Sequence, residues 1–208
     1  DERPDRELAI FSEVIIRLYD AGSARDRARL AQKLSTQTNL PVDLARRIAE
    51  DEVAVAVPVL ASCPVFGQED LLDLAKRLDK PHLQVLARRT DLSLEVSDVI
   101  TARGDLPVHR ILAGNNEIRL SRDTMLTLLK HAEQDTVLRE DLTLRSDLSP
   151  PVCRALMPLV DDEAKKRLHR MIEGALSQEQ LDQIARLKAL RREFGAALET
   201  TDVALLWQ

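Results

Sequence analysis

Aromatic side chains are nearly missing from this sequence, with one tryptophan, one tyrosine and three phenylalanines among 208 residues. Stacking surfaces for single-stranded nucleic acid are built from such rings, so that class of function has little to stand on. An excess of basic charge is missing too. The net charge of −5 removes the bulk attraction behind most non-specific nucleic-acid affinity and leaves only local basic patches. Glycine and proline are scarce, at 6 and 9 residues. The chain therefore holds few helix breakers, and its abundant Leu, Ala, Arg, Asp and Glu make a mixture that favours helix. The two cysteines, Cys63 and Cys153, lie far apart. They allow a disulfide in principle, but read better as two buried thiols in a reducing cytosol. No apolar run reaches about eighteen residues, which excludes a membrane-spanning helix, and no signal-peptide pattern opens the chain. The expected location is cytoplasmic. Asp1 is not an initiator methionine and the chain stops after an apolar run ending at Trp207, so the expectation is a piece of a longer protein. Arginine outnumbers lysine 23 to 7, a usage associated with GC-rich bacterial genomes.

What is present is a register. Leu34, Leu60, Leu86, Leu112 and Leu142 stand in matching contexts at spacings of 26, 26, 26 and 30. Six residues past each anchor come Leu40, Phe66, Leu92, Ile118 and Leu148. Fourteen past it come Ile48, Leu74, Ile100, Leu126 and Leu156. Every slot in the three columns is large and apolar, as expected of supersecondary units that must stack to bury a face.

Each unit reads as a short helix A, a turn and a short helix B. Pro81 suits the first turn of a helix A, where a missing N–H costs nothing. Thr90-Asp91-Leu92-Ser93 turns the chain, and Ser93 caps a helix B carrying Val96, Val99 and Ile100 at helical spacing. Gly104 closes that helix. Val53, Val55, Val57 and Val59 alternate as in a strand, but they occupy a helix A slot and are read as helix. The four extra residues before Leu142 equal about one helical turn, which a helix can absorb. Residues 6–20 form an amphipathic capping helix, and residues 24–34 the first helix A. Residues 161–174 form a charged helix. A capping box at Ser177 then opens a long helix to about Glu199, bearing Leu181, Ile184, Leu187, Leu190, Phe194 and Leu198. The expected fold is all-α: a HEAT-like solenoid of about five helix pairs over residues 1–160, with a helical extension over 161–208. That extension is expected to dock on the last pair near Val152, Leu156 and Leu159. The alternative is a homodimer formed through the same helix.

The segments LASCPVF, LARRTDLSLEVSDVI and LAGNNEIRLS carry a further signal. From roughly Leu40 to Val160 the chain resembles an uncharacterised helical-repeat family found mainly in alphaproteobacteria, domain of unknown function 2336. The resemblance implies a bacterial cytoplasmic protein with HEAT-like repeats. It brings no catalytic residue with it.

Chemistry is sparse. His82, His109, His131 and His169 lack the close spacing of metal ligands, and no metal or cofactor is expected. His82 and His109, at near-equivalent slots, read as partly exposed helix residues. Glycine-rich phosphate loops and nucleophile elbows are missing. The carboxylate runs Glu50-Asp51-Glu52 and Asp161-Asp162-Glu163 read as solvated charges or as complements to helix dipoles. Arg77 and Arg103 read as complements to helix C-termini. The more informative positions lie in the A–B turns, where Gln37, Cys63, Arg89, Asn115 and Arg145 share one slot. Arg88, Arg89, Asn115, Asn116 and Arg145 are therefore candidates for a polar strip along one edge that binds an acidic partner or anion. The competing reading is solvated turn residues.

The expected function is a non-enzymatic binding scaffold, a protein–protein interaction or regulatory module of a bacterial signalling protein. A small-molecule sensor with a pocket beside the long C-terminal helix is the alternative. A nucleic-acid binder ranks below both.

Overall fold

The computed structural model describes residues 3–174, 182, 183, 185–187, 189 and 190. The chain divides into two compact units, Asp1–Thr124 and Met125–Gln208. The first contains α1 (Arg3–Ala21), α2 (Ala24–Leu34), α3 (Val42–Ala49), α4 (Val53–Ser62), α5 (Gln68–Arg77), α6 (Lys80–Leu86), α7 (Leu94–Arg103) and α8 (Leu106–Gly114). The division falls at the start of α9 (Arg122–Ala132). The second unit continues with α10 (Thr136–Thr143), α11 (Pro150–Leu156), a 3-10 turn at Met157–Leu159 and α12 (Asp162–Glu173). All regular structure among the described residues is helical. Residue 160, where the sequence changes character, lies inside the second unit.

Local chemistry explains where the helices begin. Asp79, Ser93, Asp105, Asp135 and Asp161 each stand at an N-cap and accept a backbone N–H three residues on. Pro81 and Pro107 lie in the first turns of α6 and α8, where no intrahelical N–H is lost. The valine alternation at Val53–Val59 is helical, as the register requires. Its inward residues Val55, Ala56, Val59 and Leu60 are buried, so tertiary burial overrides the local strand pattern. In the first unit α2, α4, α6 and α8 pack against one another in succession. On the other side α5 packs on α7, and α1 lies on α3 and α2. In the second unit α10, α11 and α12 pack mutually.

The apolar columns largely become core. Leu60, Leu86, Leu112 and Leu142 are fully buried, while Leu34 is only half-buried. The second column is buried throughout. The third breaks once: Leu126 is 47% exposed and Leu128 takes its place at 0%. The reason is a shifted cap. Ser121 Oγ, and no group at position 119, accepts the capping hydrogen bond from Thr124 N–H, so α9 starts two residues late relative to α7. The four extra residues are thus not one inserted helical turn. Two extend α8 beyond its anchor Leu112, one lengthens α9, and one lengthens the loop before Asp135.

Gly104 ends α7 in an extended conformation, φ −69° and ψ 169°, that any residue can adopt. It is glycine because of crowding. A Cβ there would sit 2.7 Å from the Ile100 carbonyl oxygen and 2.6 Å from Val108 Cγ1. Gly174, by contrast, closes α12 in the left-handed region at φ 68°. Most of the predicted C-terminal helix, with Leu181, Ile184, Phe194 and Leu198, lies outside the described residues, as do its docking and dimer contacts. Seven of its residues, including Leu187 and Leu190, are described and are helical.

Candidate functional site

In the A–B turn slot Cys63, Arg89 and Arg145 are buried, Asn115 is half-buried and Gln37 is exposed. Arg89, on the turn after α6, is 4% exposed. Its guanidinium donates to the carbonyls of Leu60 at 3.2 Å and Cys63 at 3.1 Å, in the preceding turn. Asp91 clamps it from the other side, at 2.8 and 2.7 Å. One unit later, Asn115 Nδ2 donates to the carbonyls of Ala87 (2.9 Å) and Arg89 (2.7 Å). In the second unit Arg145 is 1% exposed and gripped by Asp147 in the same Arg-X-Asp arrangement. Asn116 donates to the Gly114 carbonyl beside it, and Arg88 alone of the five is exposed. The expected solvent-facing strip is therefore corrected. Arg89 and Asn115 join consecutive turns by satisfying carbonyls that helix ends leave open.

The same use of polar groups recurs elsewhere. Gln68 donates to the Asp91 carbonyl and accepts from Ser93 N. Arg103 caps the end of α5, one helix B earlier, through the carbonyls of Ala75 and Leu78. Arg77 instead pairs with Asp73 and Glu50. Arg46 pairs with Asp70, and Asp98 accepts from Ser121 and Thr124, so neighbouring B helices are tied near their middles and starts. His82 and His109 are not the partly exposed residues expected. Both are buried: His82 bridges the Asp79 carboxylate and the Asp51 carbonyl, and His109 meets the Thr101 carbonyl.

Asp51 gathers several hydrogen bonds at the α3–α4 turn. It accepts from Tyr19 Oη at 2.5 Å, from Arg27 at 2.6 and 3.1 Å, and from Glu52 N at 2.7 Å. Burial alone would raise its pKa, but the Arg27, Tyr19 and Glu52 hydrogen bonds outweigh it and hold the group below the usual carboxylate value. Tyr19 is pushed far above an ordinary phenol, first by burial and then by the neighbouring carboxylate. This cluster ties α1 and α2 to the α3–α4 turn, so the reading of Asp51 as a solvated charge is corrected. Asp161 does cap α12, with Asp162 and Glu163 exposed in its first turn. Both cysteines are buried free thiols, and burial raises both above the usual thiol pKa.

Two surface features remain. On α1 Ile10, Val14 and Leu18 are 55, 49 and 65% exposed at i, i+4, i+8 spacing, while Tyr19 on the same helix is buried and Ile15 and Ile16 pack on the core. In the second unit a cleft of about 640 Å³ opens between α10, the Leu159–Asp161 segment and α12, with Leu187 and Leu190 on its wall. Arg139 is fixed on one side of it by the carbonyls of Ala132, Glu133 and Leu159. Among the described residues no group of His, Cys, Asp and Glu is placed to hold a metal, and no helix is long and apolar enough to cross a membrane.

The model of an uncharacterised protein family conserved in bacteria, DUF2336, matches residues 55–208. The chain belongs to the DUF2336 family. The match starts later than the resemblance read from the sequence and continues through the C-terminal extension. No curated protein and no solved structure matches the chain.

Proposed function

We propose that the chain is a HEAT-like helical-repeat scaffold without catalytic activity, serving as a protein-interaction module of a bacterial signalling protein. The observation that carries this reading is the stripe of Ile10, Val14 and Leu18. Three large apolar side chains on one exposed helix face are what a partner's amphipathic helix covers. The 26-residue ladder supports it. The polar groups of the turns are spent on holding successive helix pairs together, and stacked pairs offer extended surface.

The test is quantitative co-purification from a bacterial host using tagged parent and Val14→Glu chains side by side. A partner protein should be recovered with the parent and fall by about tenfold or more with the variant, the size expected for losing a central apolar contact. Recovery of the same proteins by both chains would reject the stripe as the binding face.

A further inference from the structure

Among the described residues, the cleft of the second unit is lined by an arginine with one buried donor atom that has no acceptor. Arg167 lies half-buried on α12 and lines the cleft. Its Nε is shut off from water and has no acceptor among the described residues. A buried donor left in that state is costly. Arg139 across the cleft differs, because its guanidinium already serves three carbonyls. Much of the remaining wall is apolar, from Leu144, Leu159, Leu187 and Leu190, and the last two keep 37 and 49% of their surface exposed. Glu140 and Asp161 bring two negative charges to the same wall.

We propose that this cleft binds an amphipathic monocarboxylate, with the carboxylate on Arg167 and a short apolar tail along Leu144, Leu159, Leu187 and Leu190. A planar carboxylate matches the guanidinium fork in geometry and charge. The guanidinium turns toward the cleft as the ligand arrives, and Nε gains the bond it lacks. Two wall carboxylates already balance two guanidinium groups, so a single negative charge is favoured over a phosphate dianion or a polyanion. The volume suits a small organic molecule, since ligand pockets run from about 300 to 1,000 Å³. This goes beyond the scaffold reading and does not depend on it.

The test uses the full chain and three eight-carbon probes that share a tail: octanoate, octanol and octylamine, each below its aggregation concentration, read by titration calorimetry. Octanoate should bind about tenfold or more tighter than octanol, the scale of a charge-assisted hydrogen bond, and octylamine more weakly still. Arg167→Met should bring octanoate down to the level of octanol. Without ligand that variant should melt no lower than the parent, since it removes an unsatisfied buried donor. Leu187→Ser should weaken octanoate and octanol alike, and Arg170→Met should leave both unchanged. Equal binding of octanoate and octanol, no binding of either, an octanoate preference that survives Arg167→Met, or a lower melting temperature for the ligand-free variant would each overturn the proposal. If Arg167→Met does not fold, Arg167→Lys takes its place. It keeps the charge but not the fork, and should weaken octanoate severalfold with octanol unchanged.

Discussion

Arg89 Nη2 donates to the carbonyl of Cys63, 26 positions earlier in the chain, at 3.1 Å. Asn115 repeats the step onto the carbonyl of Arg89, again 26 positions back. A sequence period has become a hydrogen-bond period, and it can be tested as one. Arg89→Met keeps the length of the side chain but leaves the Leu60 and Cys63 carbonyls without this donor. The expected loss in urea unfolding is about 1–3 kcal/mol, the cost of an unsatisfied buried polar group. Arg88→Met, on the exposed neighbour, should stay within about 0.5 kcal/mol. Equal losses would mean that the ladder contributes nothing.

The shifted start of α9 has its own signature. Leu128 is fully buried and Leu126 is 47% exposed. Leu128→Ala should cost about 2–5 kcal/mol, the usual range for a buried leucine, and Leu126→Ala less than about 0.5 kcal/mol. The reverse order in denaturant melts would restore the uninterrupted 26-residue register. The same comparison applies at Leu86, buried in a column, and Leu94, half-exposed outside every column.

Gly104→Ala adds a single methyl group and meets no φ barrier, because φ is already −69°. The methyl would collide with the Ile100 carbonyl oxygen and with Val108. A loss of about 1–3 kcal/mol, the range for overpacking, is expected from thermal or urea unfolding. A neutral or stabilising result, normal for Gly→Ala in an unstrained helix end, would mean that α7 and α8 are farther apart than described.

Asp51 predicts the direction of acid sensitivity. Its folded pKa is depressed, so the unfolded chain takes up the proton more readily than the folded one. Its contribution is therefore fully present above the ordinary carboxylate pKa of about 4 and is lost as the pH falls through the lower folded value. Asp51→Asn should lower stability at pH 7 and flatten the fall between about pH 5 and pH 2. An unchanged pH slope in the variant would show that the Tyr19–Arg27–Asp51 cluster is not coupled to folding.

The fold was legible wherever burial follows spacing. The second apolar column is buried at every position, and α2 begins and ends where the sequence places it. The cap at Ser93 was visible because N-capping uses a residue type and a local offset, whereas Asp161 was read only as a solvated or dipole-complementing charge. The candidate strip was legible only in part: its common slot was found, but its direction was not. The repeat register does not separate Arg88 from Arg89, yet one is exposed and the other buried. A usable hint lay in Arg89-Thr90-Asp91 and Arg145-Ser146-Asp147, where an aspartate two residues on can clamp a buried guanidinium. The Tyr19–Asp51 contact and the cleft around Arg167 join residues that no motif or period connects.

By itself the sequence determined that the regular structure among the described residues is helical, where most of the apolar columns fall and that Ser93 caps a helix. Those properties are one-dimensional: helix propensity, a 3.6-residue face and a three-residue capping offset act between near neighbours. Tertiary structure alone decided that Arg89 and Asn115 serve the preceding turn, that Leu128 replaces Leu126, and that Arg167 Nε has no acceptor among the described residues beside a cleft. Each depends on where a distant main chain or helix end comes to lie. A buried carbonyl attracts whichever donor packing brings within reach, and periodicity does not specify that distance.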